Sequence, residues 1–295
     1  MATIRPATHS SSWYSGNKQQ LQSQISQWFN AAQTNTRGRF GVGPHAGYTY
    51  CGATLAHTYK SLDPDIERVF VMGPSHFEAF RGVRTSRFIG YDTPLGTVPV
   101  DVEVVRKFHE HGIKYLSKET DEEEHALEMH LPMLHYVAPN AKFVPLLFGD
   151  VGLDQEQVLL DLLAPYVTDP ATAFVVSSDF CHWGSRFRYT MYTPTGMEAL
   201  APVSSHTVTK PIWQSIAELD KACMEIASLG SADKWNSFIK ETGNTVCGQR
   251  PLGVLLRLGE RTGQPLEFDW LDYSQSSKVK SPSESSVSYA AAIAP

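Results

Sequence analysis

Short apolar runs alternate with longer amphipathic stretches along most of the chain. Runs rich in Val, Leu and Phe are typical of buried strands, and apolar residues three and four positions apart are typical of helices. The pattern predicts strands at 40–44, 68–72, 142–148, 172–178 and 266–273, an edge strand at 287–293, and helices at 17–32, 53–62, 101–108, 153–167, 212–229, 232–242 and 252–258. Strands that alternate with helices predict an α/β fold with a parallel sheet.

Three of the predicted strands end in a turn that is followed by a histidine. The histidines are His45, His76 and His182, and the last of them follows Asp179 and Cys181 closely. Polar and ionisable side chains at the end of a buried strand serve a site more often than a core. Because the carboxyl ends of parallel strands lie along one edge of the sheet, we expect the three loops to face one crevice.

Two other stretches carry candidate chemistry. The acidic run 121–124 suits the first turn of a helix, where the dipole favours negative charge, and a solvated acidic face is as good an interpretation as a ligand role. His125, which follows it, is kept as a residue beside a site. Cys247 precedes a predicted helix with Pro251 at its first position, so the dipole favours its thiolate, although a small buried thiol is the alternative.

Composition and charge exclude several classes of protein. The 295 residues are 42% hydrophobic and 19% charged, as in an ordinary globular protein, and the net charge of −6 offers no bulk attraction to nucleic acid. No apolar run approaches the roughly 18 residues of a membrane span, so no membrane insertion is expected. Four scattered cysteines without a C-x-x-C pair favour a reducing compartment, the cytoplasm, with the nucleus as an alternative. Neither a P-loop nor a serine-hydrolase motif is present.

The convergent side chains are suited to a metal site. The set contains His45, His76, Asp179, His182 and Cys247. Two histidines and one anionic ligand with open positions can hold a metal together with a substrate or water. A thiolate as the third ligand makes the site softer, which favours iron, copper or zinc over magnesium or calcium.

Several longer motifs resemble the Memo family, which is named as a mediator of cell motility driven by receptor tyrosine kinases. They are PHAGYTYCG at 44–52, GPSH at 73–76, EHALEMHLP at 124–132, VVSSDFCHWG at 175–184, GNTVCG at 243–248 and SSVSYA at 285–290. The resemblance covers nearly the whole chain in the same order. It implies a single Memo-like domain over 1–295, with a mixed, mostly parallel central sheet flanked by helices, similar to class III non-haem iron extradiol dioxygenases of the LigB type.

The resemblance also implies roles for individual residues. Matched to the family's motifs, the metal ligands are His45, His76 and Cys247, which would hold iron or copper, with zinc as an alternative. Asp179 and His182 stand beside them as the candidate catalytic residues. The wall of the site is expected to include Tyr48, Cys51, His125, Trp183 and Arg186. The family pattern often has a second histidine after GPSH, and this chain has Phe77 there.

Three functions follow from these expectations. The first is a metal-binding redox protein, with metal-dependent oxidoreductase activity as an open question, linked to signalling, cell motility and control of the cytoskeleton. The second is a non-catalytic adaptor that binds a phosphotyrosine peptide or another signalling adaptor in the same crevice, with Arg186 at its edge. The third is an extradiol-type dioxygenase. A thiol at Cys247 disfavours this activity, because the extradiol enzymes resemble a site with two histidines and a carboxylate. The segment 191–211, rich in Pro, Thr and Ser, is expected to be a mobile insertion.

Overall fold

A nine-stranded mixed sheet forms the centre of the α/β domain, as the sequence predicts. The computed structural model describes residues 3–150, 152–204 and 208–295. The strands within these residues are β1 (Ile4–Arg5), β2 (Phe40–Gly43), β3 (Arg68–Pro74), β4 (Val83–Thr85), β5 (Gly90–Tyr91), β6 (Val98–Pro99), β7 (Lys114–Tyr115), β8 (Lys142–Phe148), β9 (Thr172–Ser177), β10 (His182–Trp183), β11 (Met191–Tyr192), β12 (Ala201–Pro202), β13 (Asp269–Gln275) and β14 (Ser286–Ala294).

Helices flank this sheet. Within the described residues they are α1 (Lys18–Ala31), α2 (Tyr48–Lys60), α3 (Val102–Glu110), α4 (Lys118–Glu123), α5 (Leu131–Val137), α6 (Leu153–Val167), α7 (Ile212–Ala227), α8 (Ala232–Thr242) and α9 (Gln249–Thr262). The α1 helix shows why the amphipathic pattern works: Asn17 caps its first turn, and Leu21 and Ile25 are fully buried against the core.

The order of the main sheet is β10-β14-β2-β9-β3-β8-β4-β7, and β13 pairs with β14 beside this path. The strands β2, β9, β3 and β8 are parallel to one another, and β14 and β4 join them antiparallel on either side. The parallel centre therefore aligns the ends of β2, β9 and β3 along one edge. None of the helices in the described part of the chain has the length and apolar character needed to cross a bilayer.

The last strand is not an edge strand, contrary to the prediction. β14 lies inside the sheet, because it pairs with β13 on one side and with β2 and, nearer its start, β10 on the other. Its residues from Ala290 to Ala294 are completely buried. Small and aliphatic side chains can be covered on both faces of a sheet. A run of such residues is therefore typical of an internal strand. The strand before it also lies further along the chain than predicted, at Asp269–Gln275.

Three predicted helix starts were also wrong. α2 begins at Tyr48 rather than at residue 53, because Gly52 is a packing position inside the helix, where a Cβ would meet the ring of Trp28 at 2.5 Å. Residues 121–124 lie at the end of α4, whose start is capped by Ser117, and tertiary contacts hold the buried carboxylates of that run. α9 begins at Gln249, so Pro251 occupies its third position.

The segment 191–211 contains some regular structure. β11 and β12 pair antiparallel, with Met191 opposite Pro202 and Tyr192 opposite Ala201. Residues 205–207 lie outside the described part of the chain. The mobility of this segment therefore stays a prediction.

Candidate metal centre

The ends of three adjacent strands bring the predicted histidines together. β2 leads into His45, β3 leads into His76, and β9 lies between these two strands and leads into Asp179. The imidazole rings of His45 and His76 lie edge to face, with 5.1 Å between their centroids. The parallel arrangement of the strands therefore places two potential ligands at one edge of the sheet, where the periodicity predicted a crevice.

The thiol of Cys247 reaches the same place from the loop before α9. Its Sγ atom lies 3.2 Å from Nε2 of His45 and accepts a hydrogen bond from the backbone N–H of Asp179 at 3.1 Å. The next residue, Gly248, packs directly on β9, because a Cβ on it would lie 2.4 Å from Cβ of Ser178. The backbone N–H of Gly248 donates to Ser178 Oγ at 2.9 Å. A residue without a side chain is thus required for this close approach.

His45, His76 and Cys247 each offer one ligand atom, and these atoms lie within 4.8 Å of one another. Hydrogen bonds assign the tautomer of His45. The hydroxyl of Ser177 donates to the carbonyl of Ala126 at 2.6 Å, so its oxygen accepts from Nδ1–H of His45 at 2.7 Å. The lone pair of Nε2 on His45 is therefore free on the side of Cys247.

Glu124 assigns the tautomer of His76 in the same way. Its carboxylate accepts from Nδ1–H of His76 at 2.9 Å and from the backbone N–H of the same residue at 2.7 Å. It also accepts from the backbone N–H of Ala126 at 2.9 Å. A carboxylate that holds the far nitrogen of a histidine orients the ring and leaves the other nitrogen free for a metal.

The sequence-based interpretation missed Glu124 as a site residue. Burial would raise the pKa of this carboxyl, but the hydrogen bonds and charge of His76, together with the N–H of Ala126, outweigh burial and lower the pKa. The position of Glu124 at the start of the motif EHALEMHLP was the signal in the sequence that could have pointed to it. These contacts show that the carboxylate of Glu124 is buried and does not belong to a solvated acidic face.

His125 stacks between two rings beside the centre. Its ring centroid lies 4.5 Å from that of His76 and 4.4 Å from that of Trp13. Burial, followed by the neighbouring His76, lowers the pKa of His125 to about 4. His76, Glu124 and His125 form a second group of close ligand atoms. The Glu124 oxygens already accept three hydrogen bonds. The ligand atoms of the group that includes Cys247 are therefore more available to a metal than those of the group that includes Glu124.

The two predicted catalytic residues follow β9 in the chain and are not part of the group of close ligand atoms. Asp179 is buried and accepts from the backbone N–H of His45 at 2.9 Å, so it holds the loop that carries this histidine. Burial, opposed chiefly by His182, raises the pKa of Asp179. Nδ1 of His182 lies 2.9 Å from the carbonyl of Phe180 and 3.1 Å from that of Thr245, which leaves its Nε2 as an acceptor.

The thiol of Cys247 differs from the sequence-based expectation. Burial, followed by the negative charge of Asp179, raises the pKa of Cys247, whereas the dipole of the following helix was expected to favour the thiolate. The helix dipole acts within about one turn and contributes less than the loss of hydration of a buried thiolate. A cation at the centre would supply the charge that the thiolate needs, because coordination deprotonates a thiol.

Tyr48 and Cys51, which were predicted for the wall of the site, lie on the first turn of α2. The Tyr48 hydroxyl donates to the carbonyl of Met129 at 2.8 Å, and the Cys51 thiol donates to the carbonyl of Ala46 at 3.1 Å. Both side chains are buried. Tyr48 also lines, together with Trp13, a cavity of about 510 Å³.

Trp183 and Arg186 do not line this crevice together. Trp183 is completely buried in a second hydrophobic cluster, and its indole N–H donates to the carbonyl of Met191 at 2.8 Å. The two-residue strand β10 turns this side chain into the core, whereas the prediction gave it to the wall of the site. Arg186 is exposed and its guanidinium lies 4.4 Å from the ring of Phe187, which contacts His182.

The donor set fits a metal of borderline or soft character. Two imidazole nitrogens with free lone pairs and one sulfur match the ligands that iron, copper and zinc accept, and the hydrogen bonds from Ser177 and Glu124 orient both rings. About 30% of the His76 side chain is exposed, so the centre has an opening to solvent. An open side is a feature of sites that react rather than of closed structural sites.

Comparison with known proteins gives consistent matches over almost the full length. The model of the family "Memo-like protein" matches residues 5–293. Protein MEMO1 of Xenopus laevis is 40% identical over 300 residues, covering 98% of this chain and 97% of the relative. Protein MEMO1 of Homo sapiens is 38% identical over 297 residues, covering 97% and 96%, respectively. The MEMO1 family protein MHO1 of Saccharomyces cerevisiae is 36% identical, with 98% of each chain covered. With its α/β fold and these full-length matches, the chain belongs to the Memo-like family.

Proposed function

We propose that this protein binds iron or copper through His45, His76 and Cys247 and acts as a redox protein. The observation that carries the proposal is the arrangement of the three ligand atoms within 4.8 Å of one another, while Nδ1 of each histidine is engaged elsewhere. A pair of histidines that only filled a core would not need one ligand atom from each ring within 4.8 Å of a thiol.

The residues of the chain have distinct parts in this proposal. His45, His76 and Cys247 would hold the metal, and bound iron or copper would supply one-electron chemistry. Ser177 and Glu124 keep the two rings oriented. Asp179 fixes the loop of His45, and His182, whose Nδ1–H faces two carbonyls, would offer its Nε2 as an acceptor.

Family membership supports a wider role. We propose that the protein acts in the cytoplasm, or alternatively the nucleus, in signalling that controls cell motility and the cytoskeleton. The net charge of −6 offers no reason to invoke nucleic acid as a partner. Whether the metal centre turns over a substrate is a separate question, and oxygen consumption with a reductant is the measurement that addresses it.

The first experiment is metal analysis of protein purified without oxygen. Wild type, His76→Ala and Cys247→Ser are loaded with Fe²⁺ or Cu⁺, desalted and analysed for metal. We expect stoichiometric metal in wild type and loss in both variants. His111→Ala, an exposed histidine on the turn after α3, and Cys223→Ser, a buried cysteine in α7, are matched controls that should keep the metal. A wild type that holds no metal after loading would refute the proposal.

The adaptor alternative has less support. The cavity of about 510 Å³ that Tyr48 lines has no lysine or arginine among its described lining residues. The cavity of about 290 Å³ that Cys247 lines includes Arg250, whose guanidinium is paired with Asp150 at 3.0 Å. Phosphate groups are usually bound by arginine, and the exposed Arg186 lines neither cavity. Binding of a phosphotyrosine peptide that is lost in Arg186→Ala, with metal content unchanged, would revive this alternative.

The extradiol dioxygenase alternative depends on the third ligand. Such enzymes use two histidines and a carboxylate. Here sulfur occupies the third position, and the nearby carboxylate of Glu124 is engaged by the backbone and ring of His76. Cleavage of a catechol ring by the iron-loaded protein is the result that would support this alternative.

A further inference from the structure

The N-terminal segment places a completely buried arginine next to the metal centre. Arg5, at the end of β1, has no exposed surface. Its guanidinium donates to the carbonyls of Asp121 at 2.8 Å, Glu122 at 3.1 Å and Glu124 at 3.1 Å. Its Nη1 also donates to the carboxylate of Glu128 at 2.5 Å. One side chain thus forms hydrogen bonds with both the end of α4 and the loop that follows it.

Glu128 completes the same cluster from the other end of that loop. Its carboxylate is fully buried and accepts from the backbone N–H of His9 at 2.9 Å, from Nδ1 of His9 at 2.7 Å and from the hydroxyl of Tyr14 at 2.6 Å. Together with Arg5, these contacts fasten residues 5–14 onto residues 121–128. We call this set, Arg5, His9, Tyr14 and Glu128, the buried charge cluster.

The loop held by the buried charge cluster carries both of the groups that orient the metal-facing histidines. Glu124 accepts from the backbone and ring of His76. The carbonyl of Ala126 accepts from the hydroxyl of Ser177, which in turn accepts from Nδ1–H of His45. Residues 124–126 are therefore a common support for two imidazole rings that come from different strands.

Burying an arginine and a glutamate is an expensive way to stabilise a fold. The loss of hydration of both ions offsets most of their attraction, and apolar residues of similar volume often give equal or greater stability. A buried ion pair can instead select one arrangement of the chain over others. In this protein the arrangement so specified is the loop that orients His45 and His76.

We infer that Arg5 and Glu128 are positioning residues of the metal centre, which set the orientation of both histidines through residues 124–126. This inference rests on the proposed metal-binding function. It goes beyond the ligand set, because neither residue offers a ligand atom to the group formed by His45, His76 and Cys247. Residues that orient ligands are typically worth about 10- to 100-fold in metal affinity.

The test compares the buried charge cluster with a partly exposed ion cluster at the other end of the central strand β3. Arg5→Met and Glu128→Gln remove the two ions, and Tyr14→Phe removes one hydrogen bond while both ions stay. Arg68→Met is the matched control, because Arg68 at the start of β3 bonds Asp101 at 2.8 Å and Asp169 at 3.1 Å, far along the strand from His76. Each variant is compared with wild type at a temperature where its circular dichroism shows it folded.

The primary readout is Co²⁺ affinity measured by competition with a chelator, together with the thiolate-to-Co²⁺ absorption band. We expect Arg5→Met and Glu128→Gln to lose about 10- to 100-fold in affinity and to shift the band, Tyr14→Phe to lose less, and Arg68→Met to match wild type. Wild-type affinity and an unchanged band in both Arg5→Met and Glu128→Gln would overturn the inference. An equal loss in Arg68→Met would also overturn it, because the effect would then reflect general stability.

A second readout needs no metal and separates the inference from the proposed function. The ¹⁵N chemical shifts of His45 and His76 report their tautomers in the metal-free protein. Wild type should show the Nδ1–H form for both rings, and Glu128→Gln should show a mixture. If wild type binds no metal but the tautomers change in Glu128→Gln, the proposed function fails while the positioning role stands. If wild type binds metal and the tautomers stay unchanged, the positioning role fails alone.

Discussion

The sulfur of Cys247 lies 3.2 Å from Nε2 of His45, although 202 positions separate the two residues in the chain. The strand β2 delivers the histidine, and the loop before α9 delivers the thiol. Both are held by contacts with the end of β9: Asp179 accepts from the backbone N–H of His45, and its own N–H donates to the thiol. The end of β9 is therefore the element on which the candidate centre is assembled.

Replacing Gly248 by alanine should displace Cys247. The added Cβ would lie 2.4 Å from Ser178 Cβ and 2.8 Å from the carbonyl oxygen of Ser177, so the loop must move away from β9. We expect a loss of about 1–3 kcal/mol in the free energy of unfolding, as for other overpacked sites, together with weaker binding of Co²⁺. Urea denaturation and chelator competition measure the two effects.

The control for this change is Gly112→Ala. Gly112 has a left-handed backbone, with φ of 95°, whereas Gly248 has φ of −83°, and open space surrounds Gly112. This variant should lose about 1 kcal/mol from backbone strain and bind Co²⁺ like wild type. Unaltered metal binding in Gly248→Ala would show that the thiol position does not depend on this close approach.

Changing Glu124 to glutamine should weaken metal binding without removing a ligand. The amide keeps one acceptor but places an NH₂ group against the donors of His76 and Ala126, so the ring of His76 loses its fixed orientation. We expect an affinity loss of about 10- to 100-fold, measured by titration against a chelator. Glu123→Gln, at the exposed neighbouring position, is the control and should bind like wild type. Equal affinities in the two variants would contradict the role given to Glu124.

Acid stability should depend on Glu128. Burial would raise the pKa of Glu128, but the hydrogen bond from His9 and the charge of Arg5 outweigh it and lower the pKa to about 2, from the usual 4.5. A lowered pKa means that the native state binds this proton less readily than the unfolded state does. Its contribution to stability is therefore complete above pH 4.5 and is lost as the pH falls toward 2.

The size of this effect follows from the pKa shift. We expect wild type to lose roughly 3 kcal/mol more than Glu128→Gln between pH 5 and pH 2, as measured by urea denaturation of the metal-free proteins. At pH 5 Glu128→Gln should already be less stable, because Arg5 remains buried without its carboxylate partner. Parallel pH profiles for the two proteins would show that this carboxylate does not titrate as described.

Thiol modification should distinguish Cys247 from the other cysteines. Cys51, Cys181 and Cys223 are buried, whereas Cys247 is partly exposed, so iodoacetamide should label Cys247 first in the native metal-free protein. The rate should lie well below that of a free cysteine at pH 8, because the partial burial of this thiol, followed by the charge of Asp179, raises its pKa and the thiolate is the nucleophile. Mass spectrometry of peptides gives both the site and the rate. Labelling as fast as in a model peptide would show that the thiol is already ionised.

Local patterns in the sequence determined much of the secondary structure. The strand Lys142–Phe148 and the helices Leu153–Val167 and Ala232–Thr242 have the predicted bounds. Their apolar periodicity and end signals lie within the elements themselves, so no distant contact is needed to recognise them. The same local signals identified His45 and His76 as polar residues that follow buried strands, and the order of motifs indicated the family.

Tertiary structure alone decided which of the charged and aromatic residues serve the centre. The sequence left the acidic run 121–124 open to interpretation as a solvated face, but Glu124 is buried. Arg5, 123 positions from the buried Glu128, donates to the carboxylate of Glu128 and to the backbone carbonyl of Glu124. Trp183 lies in a core cluster rather than in the wall of the site, and β14 lies within the sheet rather than at its edge. Periodicity describes which side of an element is apolar, whereas burial of a charge depends on a partner brought from elsewhere in the chain. For that reason the sequence could point to the proposed ligands, whereas the contacts that orient their side chains became visible only in the fold.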